Sequence, residues 1–237
     1  DVFAPSPAVG TLVFGHRGSP RVAKENTFDS FDAAEAEGAD GIELDVRMTS
    51  DGEAVVHHDA DIVIGNRSVP ISSVGLADLP DSVLTLRDVF MRYRGDLGYF
   101  VEIKQGPAPR PGLLEFRVAA LISSFALASR STVLSFSSET LRRIHELDPQ
   151  IETCLNFDGS AHRPEGRLWP DLPRGARHIA PQLALTSPEL FERAKAEGLS
   201  VHVWTVNEPD KARELAALGA TSLITDVPGE IRKTLQG

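Results

Sequence analysis

Between residues 12 and 59, imidazole, guanidinium and carboxylate groups stand where short apolar runs end. His16-Arg17-Gly18 follows Leu12, Val13 and Phe14, and His57-His58-Asp59 follows Val55 and Val56. Glu43 and Asp45 alternate with Ile42, Leu44 and Val46, a run of strand composition. In an extended chain, residues two apart point to one face, so both acids share a face and the apolar side chains take the other. Two acids on one face, with no base between them, are costly unless a positive charge sits there. A buried pair around a hard cation therefore fits better than a solvated edge strand. Arg17 offers a cationic fork for phosphate oxygens, and imidazoles exchange protons near neutral pH. Together these groups suit metal-assisted attack on a phosphate ester.

Stepping along the chain gives the elements that must hold these groups. Leu12–Gly15 reads as a buried strand, and Asn26 or Thr27 caps a helix striped by Phe28, Phe31 and Ala34. Strands follow at 39–46, 99–104, 132–136, 152–157, 177–180, 200–206 and 221–225, with an additional extended run over 53–58. Helical patterns lie between them at about 85–93, 113–127, 138–147, 187–197 and 210–218, and Pro228 begins a terminal one. Eight strands separated by helices predict an α/β chain folded as a (β/α)8 TIM barrel, one domain over 1–237. Residues 60–84, irregular and punctuated by Gly65-Asn66, Pro70, Gly75 and Pro80, form a small compact insertion after the second strand region. An open doubly wound sheet would carry a glycine-rich phosphate fingerprint after the first strand, and His16-Arg17-Gly18-Ser19-Pro20 is not one. The polar groups singled out all fall at carboxyl ends of predicted strands, where barrels of this kind keep their chemistry.

Composition narrows the partners. The formal charge is −10 and basic residues never form a run, so no nucleic-acid footprint is expected. No apolar stretch approaches the roughly 20 residues of a membrane span, so no stable membrane insertion is expected. Cys154, the only cysteine, sits in an apolar run and reads as an inert core thiol. The compartment stays open: a soluble chain starting at Asp1 fits a cytoplasmic protein, or a secreted one whose signal peptide was removed.

Taken together, these residues resemble the glycerophosphodiester phosphodiesterase family. Its His-Arg-Gly and Glu-Asn-Thr patterns appear as His16-Arg17-Gly18 and Glu25-Asn26-Thr27, and its Glu-x-Asp strand as Glu43-Leu44-Asp45. Its Val-Val-x-His-Asp appears as Val55-Val56-His57-His58-Asp59, and its Glu-x-Lys as Glu102-Ile103-Lys104. Ser135-Phe136, Trp204-Thr205-Val206-Asn207 and Thr225-Asp226-Val227-Pro228 are similar to later signatures. Departures are Lys24 where the family usually has proline, and Asn66-Arg67-Ser68 in place of Arg-Thr-Thr.

The resemblance implies that Glu43, Asp45 and Glu102 bind one divalent cation, Mg2+ or Ca2+. Their hard oxygens agree with that, and no nearby thiol selects a softer metal. Glu102 has an alternative as a salt-bridge partner of Lys104. His16 and His58 become the catalytic acid–base pair, with Arg17 and Lys104 neutralising phosphate oxygens. Phe136 and Trp204 either wall the glycerol pocket or are barrel-core aromatics. Glu25 is expected to position, His57 to support, and Asp59 to orient a loop or a histidine. His202 is expected in the core, and His145, His162 and His178 at the surface or in loops. The implied activity is hydrolysis of a small glycerophosphodiester, such as glycerophosphocholine, to sn-glycerol 3-phosphate and an alcohol. Two alternatives are a phospholipase D-like activity on lysophospholipids and a non-catalytic barrel that binds polyol phosphates.

Overall fold

Alternating side chains dictate how the strands close. In a computed structural model, residues 10–106, 110–159, 172–173 and 175–237 are described. The barrel strands are β1 (Leu12–His16), β2 (Gly41–Met48), β6 (Gly98–Ile103), β7 (Ser131–Ser135), β8 (Glu152–Phe157), β9 (His178–Pro181), β10 (Ser200–Val203) and β11 (Ser222–Thr225). Three further strands lie outside the ring: β3 (Ala54–Val56), β4 (Asp61–Ile64) and β5 (Arg67–Pro70). The eight ring strands are parallel, each paired with the next, and β1 closes the ring by pairing with both β2 and β11. The predicted α/β fold, a (β/α)8 TIM barrel, is therefore what forms.

Helices cover the outside: α1 (Phe28–Ala36), α2 (Leu86–Tyr93), α3 (Leu113–Ser124), α4 (Ser138–Leu147), α5 (Pro188–Ala196), α6 (Pro209–Ala217) and α7 (Pro228–Gln236). Thr27, Ser137 and Ser187 accept from Ser30, Thr140 and Leu190 backbone N–H, so the hydroxyls expected to start these helices do so. Among the described residues, no helix is long and apolar enough to cross a membrane.

The same alternation builds two cores. Ile42, Leu44 and Val46 face outward against helices, together with Phe31, Phe90 and Val101. Inside the ring, Leu12, Phe14, Phe100, Leu134, Cys154, Ala180 and Ile224 fill the centre. Phe14 and Phe100 lie 4.6 Å apart between ring centroids. Gly41 makes room for that packing, because a Cβ there would meet the Phe14 ring at 2.4 Å. Cys154 is fully buried, as expected, and burial pushes its thiol well above the ordinary range, which keeps it inert.

Below this layer the interior turns polar. His178 Nδ1 lies 3.0 Å from His202 Nε2, and His202 Nδ1 lies 2.7 Å from Ser222 Oγ. His178 had been expected at the surface or in a loop, but it is buried in β9. Its side chain points into the ring, where His202 supplies the partner a buried imidazole needs. His145 is exposed on α4 as expected, and His162 lies outside the described residues.

Three local readings change. The extended run over 53–58 shortens to β3, which pairs antiparallel with β2 outside the ring. The stretch over 60–84, expected to be irregular, contains the β4–β5 hairpin, turning at Gly65-Asn66. Ile62, Ile71 and Leu79 gather on Val55 beneath it, so a small apolar cluster gives the hairpin a face to bury. The strand expected over 200–206 stops at Val203. Trp204 then bridges to Gln182, and its indole Nε1 donates to the Ala180 carbonyl at 2.8 Å.

Candidate active site

Register sets the chemistry. Across the ring, His16 pairs with Glu43, and Asp45 pairs with Glu102. Three adjacent strands thus bring an imidazole and three carboxylates to two successive same-face levels at the carboxyl end of the barrel. Glu43, Asp45 and Glu102 are buried, and one oxygen from each lies within 4.8 Å of the others.

The loop after β1 supports this cluster. Arg17 and Asn26 adopt left-handed backbone with φ of 55° and 57°, which costs on the order of 1 kcal/mol each for residues other than glycine. The bends place Arg17 N–H on Glu43 Oε2 at 3.1 Å and Asn26 Nδ2 on Asp45 Oδ2 at 2.9 Å. The Arg17 side chain donates through Nη1 to both Glu25 oxygens at 3.0 Å, and its Nε stands 3.2 Å from Asp45 Oδ2. Glu25 therefore steers Arg17.

Lys104 Nζ sits 2.8 Å from Glu102 Oε1 and 3.0 Å from Asp45 Oδ1. The Glu102–Lys104 pairing that sequence left as an alternative is present, and it coexists with the three-acid cluster. Charge balance remains unfavourable. Burial, with the Asp45 charge added, pushes Glu43 up to about 8. Burial also raises Glu102, against the pull of Lys104. Asp45 is held low: burial works the other way, but Lys104, Arg17 and Asn26 outweigh it. Asp45 Oδ1 is buried without a well-aligned hydrogen bond, although Lys104 stands near it. A cluster that cannot carry three negative charges unaided, built only from hard oxygens, fits a small divalent cation.

His16 is held differently. Its Nδ1 lies 2.7 Å from Asp226 Oδ1, and Asn207 Nδ2 donates to Asp226 Oδ2 at 2.8 Å. Burial alone would lower the His16 pKa, but the Asp226 bond and the nearby Glu43 charge raise it above the ordinary value. Nε2 is then the ring nitrogen left for a substrate. His58 Nδ1 lies 2.8 Å from Asp59 Oδ1, and its carbonyl accepts from Arg47 Nε at 2.8 Å. Asp59 thus orients a histidine, one of its two expected roles. His57 Nε2 instead reaches the Asp61 carbonyl at 3.3 Å, under the hairpin.

A cleft of about 490 Å³ opens above these groups. One wall carries His16, Arg17, Glu43, His58, Glu102 and Lys104; the other carries Leu134, Phe136, Asn156, Trp204 and Ile224. All the expected site residues except Asp45 line it, and Asp45 lies behind, bonded to Asn26 and ion-paired with Lys104 and Arg17. Phe136 and Trp204 meet edge to face with centroids 5.9 Å apart and both line the cleft; Phe136 is exposed, while Trp204 also packs against the cluster inside the ring. Asn26, expected at most to cap a helix, Asp226, expected only as part of a family-like signature, and Asn156, for which nothing was expected, all join the site. Asp226 had one available signal, a carboxylate directly after the last strand.

The glycerophosphoryl diester phosphodiesterase family model matches residues 16–230. A glycerophosphodiester phosphodiesterase of Caldanaerobacter subterraneus is 30% identical over 235 residues, spanning 92% of this chain and 95% of that protein. A glycerophosphodiester phosphodiesterase from Parabacteroides distasonis superposes with a TM-score of 0.81 at 25% identity, covering 96% of this chain and 97% of that one. An Oleispira antarctica phosphodiesterase, solved in complex with the product sn-glycerol-3-phosphate, shares the fold with a TM-score of 0.76 at 22% identity, covering 96% and 98%.

Proposed function

The chain belongs to the glycerophosphoryl diester phosphodiesterase family, and from that premise we propose that it hydrolyses glycerophosphodiesters to sn-glycerol 3-phosphate and an alcohol with one divalent cation, Mg2+ or Ca2+. The observation that carries this reading is the meeting of three buried carboxylates with His16, His58, Arg17 and Lys104 around one cleft. Glu43, Asp45 and Glu102 would hold the cation, which when bound supplies Lewis-acid polarisation of a phosphate oxygen.

The remaining work falls to the chain's own groups. Arg17 and Lys104 face the phosphate oxygens and offset the charge that grows on them as the phosphorus becomes five-coordinate. His16, whose bond to Asp226 favours the imidazolium, gives its proton from Nε2 to the departing alkoxide. His58, aligned by Asp59, takes the proton of the attacking oxygen. That oxygen belongs either to water or to the substrate's own glycerol 2-hydroxyl, which would first give a cyclic phosphate.

The test is a panel containing glycerophosphocholine, glycerophosphoethanolamine and a lysophospholipid, assayed for release of sn-glycerol 3-phosphate with Mg2+ or Ca2+. Turnover of the two glycerophosphodiesters is expected. Inertness toward both would reject the reading, and turnover of the lysophospholipid alone would favour the phospholipase D-like alternative.

The His16–Asp226 pair makes a prediction about pH. The Asp226 bond raises the His16 pKa, so Asp226→Asn lowers it and depletes the protonated acid at a lower pH than in the wild type. The alkaline limb of the kcat/KM profile should therefore move to lower pH. An unmoved limb would remove His16 from the role of acid.

A further inference from the structure

One polar group in the cleft is left over by the chemistry above. Asn156 lies near the end of β8, two residues beyond Cys154, and so points to the same interior face. It is 4% exposed, and its side-chain Oδ1 is buried without any hydrogen-bond partner. It lines the cleft together with Leu134, Phe136, Trp204 and Ile224, two strands around the ring from Glu102.

A buried amide oxygen left unpaired costs about 1–3 kcal/mol, and native interiors rarely tolerate one without a reason. Among the described residues that line the cleft with it, Leu134, Phe136 and Ile224 carry no donor and the Trp204 indole N–H is already given to the Ala180 carbonyl, so a hydroxyl entering the cleft is the partner open to the amide. Exchanging the amide oxygen and nitrogen would only change which polar atom waits there.

We propose that Asn156 is a specificity-determining residue that hydrogen-bonds a hydroxyl of the substrate's glycerol half; this rests on the glycerophosphodiesterase reading given above. The two ends of the substrate differ in what they can offer. A trimethylammonium head group has no N–H or O–H to donate, so glycerophosphocholine can satisfy the Asn156 oxygen only through glycerol. Seating glycerol there places its apolar carbons against Phe136 and Trp204 and leaves the phosphate facing Arg17 and Lys104. The larger and more variable alcohol is then directed toward the mouth of the cleft. A site built to pair with a hydroxyl rejects analogues that lack it, because its own polar group is then left unpaired.

The test compares the binding of sn-glycerol 3-phosphate with that of n-propyl phosphate, which keeps the phosphate and three carbons but has no hydroxyl. It uses the wild type, Asn156→Leu, which replaces the amide by an apolar group of similar size, and Asn156→Asp, which keeps an oxygen acceptor. The wild type is expected to prefer sn-glycerol 3-phosphate by roughly 10-fold. Asn156→Leu should bind the two within about 2-fold of each other, while Asn156→Asp, though weakened toward both anions, should recover part of the preference. Should Asn156→Leu misfold by circular dichroism, Asn156→Ala carries the same comparison. A preference that persists without the amide, or a wild type that binds both phosphates equally, overturns the proposal. Neither result touches glycerophosphocholine turnover, so failure here is distinguishable from failure of the function, which would show as no turnover at all.

Discussion

Replacing His16 by alanine is expected to lower kcat on glycerophosphocholine by about 10²–10⁴-fold with a much smaller change in KM, the usual loss when a positioned acid or base is removed. That corresponds to roughly 3–5.5 kcal/mol of transition-state stabilisation. The split follows from geometry: His16 is fixed through Nδ1 by Asp226, so the atom removed is the one aimed at the reacting ester, while Arg17 and Lys104 remain to bind its phosphate. His58→Ala should lose a similar factor, and the double variant little more than the worse single one, since the two act in one reaction. Steady-state kinetics on the three variants check this. Equal losses in kcat and binding, or an alanine variant that keeps its rate, would exclude the two-imidazole mechanism and favour a barrel that only binds.

Chelation has an equally large expected effect. Dialysis against a chelator should abolish turnover, and restoring Mg2+ or Ca2+ should recover it, with the better cation naming the preferred metal. A second readout needs no activity. Burial and the neighbouring Asp45 push Glu43 up to about 8, so at neutral pH the chelated protein should keep a proton there that a cation must displace. Cation binding should release acid, and affinity should rise with pH up to that region. It should also raise the melting temperature, by about 2.7 kcal/mol of added stability at a hundredfold excess over Kd. Glu43→Gln removes that ligand charge and should bind the cation more weakly, while the cation-free protein melts no lower than the wild type. A chain whose melting point and activity ignore both chelator and cation would refute the carboxylate site.

How much of this was readable in the chain depends on range. Glu43 and Asp45 were legible because a two-residue spacing settles which face they share, whatever the rest of the fold does. The eight-strand ring was legible from the repetition of apolar runs and capped helices. The partners that tune the site were not, because they are set by contacts across large separations. Asp226 reaches His16 over 210 positions, and Asn26 reaches Asp45 over 19. Nothing local marks either as a partner, and Asn26 read equally well as a helix cap until Thr27 took that place. His178 was misplaced for a related reason. An imidazole in a weakly patterned run looks solvated until the ring closes and brings His202 beside it.

Every group that would hold the ion or charge-balance it comes from β1, β2 and β6 or the turns that leave them, whereas Phe136, Asn156 and Trp204 come from β7, β8 and β10 and the turns after them. On the function proposed above, reactivity and recognition would occupy separate arcs of one circle. Drift in the arc of β7, β8 and β10 would let descendants of this chain change which polyol they accept without rebuilding the machinery that breaks the bond.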